Sequence, residues 1–232
     1  MKRYNIADLQ VNMDVSGRTL QQARPYEVQP CGDADVVLEC DSAALLQANP
    51  SMKTLEVAEY VGIGTVFAKA LLDHNGFFLH SSAIILDGKA YLFSAYSGTG
   101  KSTHTEKWIR LYGARYLNDD KPALRKKNGV WYAYGTPWSG KYDLSEPIGV
   151  PLGGVAFLQR GEVNTIAPLA PLDALMLLMP QTVRKLSQQQ MDKLLPLVDS
   201  LLHEVPVWLL TCRNDDDAAA VSYAAMTGKG RA

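Results

Sequence analysis

The stretch YLFSAYSGTGKSTHTEKW, Tyr91–Trp108, contains the pattern from which most expectations for this chain follow. It begins with an apolar run typical of a buried strand and continues into a polar run typical of a helix, which closes at Gly113. The small residues between them allow backbone N–H groups to point inward around an anion. Because a helix N-terminus adds unpaired N–H groups and a partial positive charge, the sequence predicts a phosphate-binding loop here.

The loop matches the pattern GxxxxGK[ST] at every fixed position except the first, where Ala95 stands in place of glycine. In this pattern the lysine, here Lys101, reaches the β- and γ-phosphates of a nucleotide, and the hydroxyl of Ser102 binds a magnesium ion. The alternative is a loop that only resembles a phosphate cradle. The strand before the loop and the helix after it favour phosphate binding.

Two adjacent carboxylates, Asp119 and Asp120, follow the short apolar run ARYLN, and Asp119 comes 17 residues after Ser102. Beside a phosphate loop, one carboxylate can hold magnesium while the other accepts a proton from an attacking hydroxyl. The alternative is a solvated turn, in which Asn and Asp are common. The combination with the loop favours a site.

Composition excludes several classes of protein. The 232 residues carry a net charge of -1, which argues against a general nucleic-acid binder. The N-terminus shows no signal-peptide pattern, and the apolar runs are far shorter than a membrane span. Three scattered cysteines predict neither a disulfide framework nor a zinc site. We therefore expect a soluble, cytoplasmic protein.

We expect one main domain with a small extension. Residues 1–55, with their short strands and turns, are interpreted as a β-rich extension that packs on the main domain and extends its sheet. Residues 56–226 are expected to form the catalytic domain, and residues 227–232 a frayed tail.

Several elements can be predicted from local patterns. Residues 54–74 and 187–205 have helical spacing, and the second helix is expected to be broken or kinked at Pro196. Asp87-Gly88 lies between two apolar runs and predicts a two-residue hairpin turn, and Asn128-Gly129 is expected to be the turn of a second hairpin. The mixture of strands and helices predicts an α/β fold of the mixed α+β kind.

Four segments resemble the HPr kinase/phosphorylase catalytic domain and ATP-dependent phosphoenolpyruvate carboxykinase. They are HSSAIILDGK at residues 80–89, SGTGKST at 97–103, NDDKP at 118–122 and YGTPWSGK at 134–141. Their order is most similar to that of stand-alone HPr-kinase-like bacterial proteins of about this length. The resemblance implies the P-loop fold of that group, with mixed β-sheets and flanking helices.

The resemblance also implies roles for individual residues. Asp119 would be the general base, and Asp120 would bind magnesium or orient Asp119, although the two roles could be exchanged. His80 would lie near the base. Ser102 would join the aspartates as a magnesium ligand, and Lys101 would act in catalysis. The residues implied to bind the nucleotide are Ser97, Gly98, Thr99, Gly100, Lys101, Ser102 and Thr103.

The chain also departs from the family. Thr103 stands where the family often has an acidic residue, and no segment matches the loop with which HPr kinase binds its protein substrate. The chain is about half as long as the carboxykinase. These differences make HPr itself and oxaloacetate poor candidates for the substrate.

The segment YGTPWSGK offers Trp138, Ser139 and Lys141 as candidate substrate-binding residues. A tryptophan between a stiffening proline and a flexible glycine could line an acceptor pocket or cover the nucleotide. The alternative is a packed loop with a buried tryptophan.

The expected activity is transfer of a phosphoryl group from ATP or another nucleotide, with Mg²⁺, to a serine-type hydroxyl. The acceptor would be a small protein, a peptide or a small molecule. The alternatives are a nucleotide-binding regulatory module without transferase activity and a simple nucleotide hydrolase. Neither a nucleic acid nor a membrane is expected as a partner, and homo-oligomer formation stays open.

Overall fold

The chain begins with a small sheet of its own. The computed structural model describes residues 1–183 and 185–229. β1 (Lys2–Ile6) and β2 (Leu9–Met13) pair antiparallel, and β3 (Val36–Leu38) joins β2 in parallel. Within the described residues no ladder connects this sheet to the main one, so the expectation that it extends the main sheet is wrong.

Helices in the first part of the chain were not expected from the sequence. They are α1 (Gly17–Ala23) and α2 (Ser42–Ala48), followed by the expected α3 (Leu55–Ala70). α2 begins where the Asp41 side chain accepts a hydrogen bond from the Ala44 amide at 2.9 Å. Both helices span only seven residues, which is too short for a clear helical period in the sequence.

A sheet of nine strands within the described residues forms the main body. The strands are β4 (Gly76–Phe78), β5 (Ser81–Leu86), β6 (Lys89–Ser94), β7 (Arg115–Asn118), β8 (Ala123–Lys127), β9 (Val130–Tyr134), β10 (Gly149–Arg160), β11 (Thr165–Pro168) and β12 (Val207–Cys212). Their order is β4-β8-β9-β10-β6-β5-β7, and β12 pairs with both β10 and β11. The helices are α4 (Lys101–Tyr112), α5 (Pro171–Leu178), α6 (Gln188–Glu204) and α7 (Asp216–Thr227). The expected mixed α/β class is confirmed.

Both predicted hairpin turns are present. Asp87 and Gly88 join β5 to β6 with φ of 51° and 75°, and Asn128 and Gly129 join β8 to β9 with φ of 51° and 79°. Positive φ at both central positions is the geometry that Asp-Gly and Asn-Gly favour. The first hairpin fixes the strand that leads into the phosphate-loop motif.

Three parallel strands bring the candidate site to one edge of the sheet. β10 pairs in parallel with β6 on one side and with β12 on the other. Their carboxyl ends, at Ser94, Arg160 and Cys212, therefore lie at the same edge. In open α/β sheets, ligands bind beyond the carboxyl ends of parallel strands.

The helix after the loop is fixed by buried polar contacts with α7. The Trp108 indole N–H donates to Ser222 Oγ at 2.9 Å, and His104 Nε2 lies 2.9 Å from the same oxygen. Burial lowers the pKa of His104 to about 3, and Lys107 contributes in the same direction. The ring is therefore neutral near pH 7. The contacts with Ser222 hold α4 against α7.

The N-terminal sheet and the main body share one apolar cluster. It contains Tyr4 and Met13 from the first sheet, Phe67 from α3, and Phe78 and Trp138 from the main body. The domain boundaries stay a prediction, because packing alone does not divide the chain.

The end of the chain differs from expectation in part. α6 is not broken at Pro196, whose side chain is exposed while the opposite face of the helix packs on the core; a kink at this residue stays a prediction. The expected tail begins inside α7, and Lys229 forms an ion pair with Asp87 at 2.7 Å. Residues 230–232 of that tail lie outside the described residues. In the described part of the chain, no helix combines the length and apolar character that crossing a bilayer requires.

Candidate functional site

The glycine-rich loop has the backbone of an anion-binding turn. It connects β6 to α4, and Gly98 and Gly100 have φ of +79° and +120°, which strongly favours glycine. Gly100 is the N-cap of α4, and no side chain caps the first-turn amides. These N–H groups suit a phosphate because they have no intrahelical acceptor.

The surroundings of Ala95 explain why the loop can have alanine where the usual motif has glycine. Ala95 is 5% exposed and its methyl group packs in an apolar cluster. Ala95 does not have a positive φ, so its backbone does not require glycine. Within this loop the positive φ values occur at Gly98 and Gly100. Its carbonyl oxygen accepts a hydrogen bond from Lys101 Nζ at 2.8 Å. The lysine side chain therefore folds back along the loop, and burial lowers its pKa although the charge of Asp120 opposes the shift.

One cavity of about 510 Å³ brings most of the predicted site residues together; we call it the acidic cavity. Its lining residues are His80, Ser97, Gly98, Gly100, Lys101, Ser102, Thr103, Glu106, Asp119, Asp120, Gly140, Lys141 and Tyr142. The loop, the two aspartates and His80 were assigned to one site from the sequence, and the structure places them around one space.

Asp119 is held by the loop that follows β9. Its Oδ1 accepts a hydrogen bond from the Gly140 amide at 2.5 Å, and a Cβ at Gly140 would come within 3.0 Å of its Oδ2. Asp119 as a whole is 8% exposed. Burial raises the pKa of Asp119, the charge of Asp120 adds to this, and the amides of Gly140 and Tyr142 oppose it. A carboxylate with a raised pKa is a better proton acceptor than an ordinary aspartate.

Asp120 has the opposite environment. Its carboxylate lies 3.2 Å from His80 Nε2 and 3.1 Å from Lys121 Nζ. Burial pushes the pKa of Asp120 upward, but the hydrogen bond with His80 and the positive charge of Lys121 outweigh it and lower the pKa. Neighbouring carboxyls whose pKa values are pushed apart are suited to separate roles.

Gln181 is a site residue that the sequence did not indicate. Its Oε1 lies 2.9 Å from His80 Nδ1, and its backbone oxygen accepts from the His80 amide at 2.8 Å. Gln181 therefore fixes the ring that contacts Asp120. It lies 101 residues from His80 in the sequence, and no local motif marks it.

A second cavity, of about 590 Å³, shares Gly98, Gly100 and Thr103 with the acidic cavity, and we call it the arginine cavity. It lies at the carboxyl ends of β10 and β12, and Thr99 of the predicted loop faces it. Arg160 donates from Nη2 to the Gly98 carbonyl at 2.6 Å, which ties the end of β10 to the loop. The sequence did not indicate the other cations of this cavity, Lys107 and Arg213.

The structure corrects the expectation for the segment YGTPWSGK. Trp138 is 1% exposed and stacks on Phe67 with ring centroids 5.0 Å apart, and Ser139 is 3% exposed. Neither lines the acidic cavity, whereas Lys141 does. The apolar ring is more stable between aromatic side chains than in contact with water, so the packed-loop alternative is confirmed.

Within the described residues, 1–183 and 185–229, the candidate metal ligands do not form a cluster of three or more His, Cys, Asp or Glu side chains. Magnesium usually takes only one or two carboxylates and completes its shell with water and substrate phosphates. Ser102, Asp119 and Asp120 all line the acidic cavity and offer oxygen ligands of that kind.

The opposite environments of the aspartates predict a titration that can be measured. In ¹³C-carboxyl NMR of the protein without nucleotide, Asp119 should titrate above the ordinary aspartate pKa and Asp120 below it. In Asp120→Asn the pKa of Asp119 should fall, because a neighbouring negative charge is removed. Asp143→Asn is the control: Asp143 is exposed and lies on the loop that contacts Asp119, and its substitution should leave the pKa of Asp119 nearly unchanged.

The order of the two titrations decides this prediction. An Asp120 resonance that titrates at higher pH than Asp119 would contradict it. Since a base must be ionised, any activity that uses Asp119 should decline as the pH falls through its raised pKa.

Comparison with known proteins yields only distant structural similarity. No protein-family model matches the chain, and no curated protein matches its sequence. Among solved structures, the Hpr(Ser) kinase/phosphatase from Coxiella burnetii is similar over 65% of this chain and 93% of that chain. The TM-score is 0.37 and the sequence identity is 11%. A similarity this weak carries no argument about activity.

Proposed function

We propose that the protein transfers a phosphoryl group from a nucleotide, with Mg²⁺, to a hydroxyl acceptor. The observation that supports this most strongly is the acidic cavity, in which the amide-rich loop faces both Asp119 and Asp120. A phosphate-binding module without activity has no need of a proton acceptor opposite the loop. Two carboxylates with oppositely shifted pKa values match the needs of a transferase.

The donor would occupy both cavities around the loop. Its phosphates would be held by the loop amides and the first turn of α4, and Lys101 would offset their negative charge. The nucleoside would extend into the arginine cavity, which shares three residues of the loop region and opens at the carboxyl ends of the parallel strands. The terminal phosphate would then face the aspartates.

The acceptor oxygen would form a bond to the terminal phosphorus while the bond from that phosphorus to the leaving diphosphate breaks. The hydroxyl proton would pass to Asp119, whose raised pKa suits it to accept a proton. Asp120 would keep its charge and, with Ser102, hold Mg²⁺. When bound, the ion neutralises negative charge on the phosphates. His80, fixed by Gln181, would orient Asp120.

The test uses the wild-type protein with [γ-³²P]ATP, Mg²⁺ and two acceptor pools, one of serine-containing peptides and one of small hydroxy compounds. Binding is followed separately with a fluorescent ATP analogue. The expected result is Mg²⁺-dependent transfer of label to an acceptor. Label released only as inorganic phosphate would identify a hydrolase, and binding without turnover would identify a regulatory module. A protein that does not bind the nucleotide would overturn the proposal.

A further inference from the structure

A third cavity, of about 740 Å³, runs along one side of α3, and we call it the α3 groove. One wall is the segment from Glu39 to Met52, which includes α2, and the other is formed near Gln181 and Val183. The apolar side chains that line it are Leu45, Met52, Val61, Val66, Phe78 and Val183. Neither the phosphate loop nor the aspartates belong to it.

The groove has the length of a short extended peptide. Val61, Thr65, Val66 and Lys69 lie at helical spacing along α3, so their stripe covers one face of that helix. Eight residues of α-helix rise about 12 Å, at 1.5 Å per residue. An extended chain advances about 3.3 Å per residue, so roughly four residues of a bound segment would cover this face.

The groove and the acidic cavity lie on either side of a shared residue, His80, which lines both. Lys121, the residue that pairs with Asp120 at 3.1 Å, also lines the groove. A ligand in the groove would therefore have one end beside the groups that hold Asp120. That is the place from which a hydroxyl could approach the aspartates.

The apolar walls of the groove favour a polypeptide acceptor over a small polar metabolite. A small polar metabolite would leave the apolar side chains of the groove in contact with water and gain few hydrogen bonds from them. The rim carries charges of both signs, with Glu39 and Asp41 on one wall and Lys69 and Lys185 elsewhere. A polypeptide can bury apolar side chains on the floor and pair its own charged groups with this rim.

We propose that the α3 groove binds an extended, apolar segment of a polypeptide, about four residues long, whose serine or threonine lies at the His80 end. The role of the bound segment as an acceptor rests on the proposed phosphoryl transfer. Its binding can be measured without turnover.

The test compares two substitutions on the same helix. Val61 lines the groove and is 38% exposed, whereas Val57 is 41% exposed and lies outside it. The probes are two pools of fluorescein-labelled octapeptides with one fixed serine, one pool with apolar flanks and one with polar flanks. We expect the apolar pool to bind the wild type more tightly in fluorescence anisotropy. Val61→Lys should weaken that binding about tenfold, and Val57→Lys should leave it unchanged.

The outcomes separate this inference from the proposed function. If Val61→Lys and Val57→Lys bind the apolar pool equally, or if the wild type prefers the polar pool, the groove is not a peptide site. If the peptides bind as expected but no label is transferred to any acceptor, the groove assignment stands and the transferase proposal fails. Transfer of label to small hydroxy compounds without peptide binding would overturn the groove assignment and leave the transferase proposal standing.

Discussion

Asp119→Asn is expected to lower the rate of phosphoryl transfer by about 10³-fold, within the range that general bases contribute. Nucleotide affinity should stay within about twofold of the wild type. Asparagine has the same shape, and its Oδ1 can still accept the hydrogen bond from the Gly140 amide. What it lacks is the ability to take up the hydroxyl proton. The measurement is single-turnover transfer of label, with nucleotide binding followed by fluorescence.

Glu106→Gln is the matched control for this prediction. Glu106 is an exposed carboxylate that lines the same cavity, and no role in proton transfer is assigned to it. Its substitution should change the rate by less than about threefold. If Glu106→Gln lost the activity while Asp119→Asn kept it, the base would be misassigned. If Asp119→Asn lost both binding and transfer, Asp119 would act in nucleotide binding instead.

The parts of the site that could be predicted from the sequence are those encoded locally. The phosphate loop lies within one strand–turn–helix unit, and its glycines have the backbone angles that only glycine adopts easily. The hairpin at Asp87-Gly88 is likewise fixed by its two turn residues. Such features depend on neighbours in the chain, so the pattern of residues was sufficient to predict them.

The missed parts depend on contacts between distant segments. Gln181 reaches His80, and Arg160 reaches Gly98, only because the sheet places their elements side by side. The separate N-terminal sheet was missed for a similar reason, since alternation predicts a strand but not its pairing partner. Asp119 and Asp120 were found because they directly follow a strand, but their opposite pKa shifts come from the surroundings, which include His80 and Gly140.

Substitution of the buried Trp138 should strongly reduce stability. Its ring stacks on Phe67 at 5.0 Å and lies 5.7 Å from Phe78, and a Cβ at Gly64 would come within 2.6 Å of it. Trp138→Ala would leave a large cavity between α3 and the main sheet. We expect the free energy of unfolding to fall by about 4 kcal/mol, measured by urea denaturation.

Two further variants separate packing from substrate binding. Trp138→Phe should be much less destabilising than Trp138→Ala, because most of the aromatic contact is kept and the Nε1–H, unpaired within the described residues, is removed. Tyr142 is a nearby aromatic residue that is 49% exposed, and Tyr142→Ala should change the free energy of unfolding by less than about 0.5 kcal/mol.

A Trp138→Ala protein of unchanged stability that showed a raised KM for its acceptor would contradict the prediction and would support a substrate-binding role for Trp138. The burial of the ring argues against that result, because an indole enclosed by Phe67 and Phe78 could reach a substrate only if this part of the core opened.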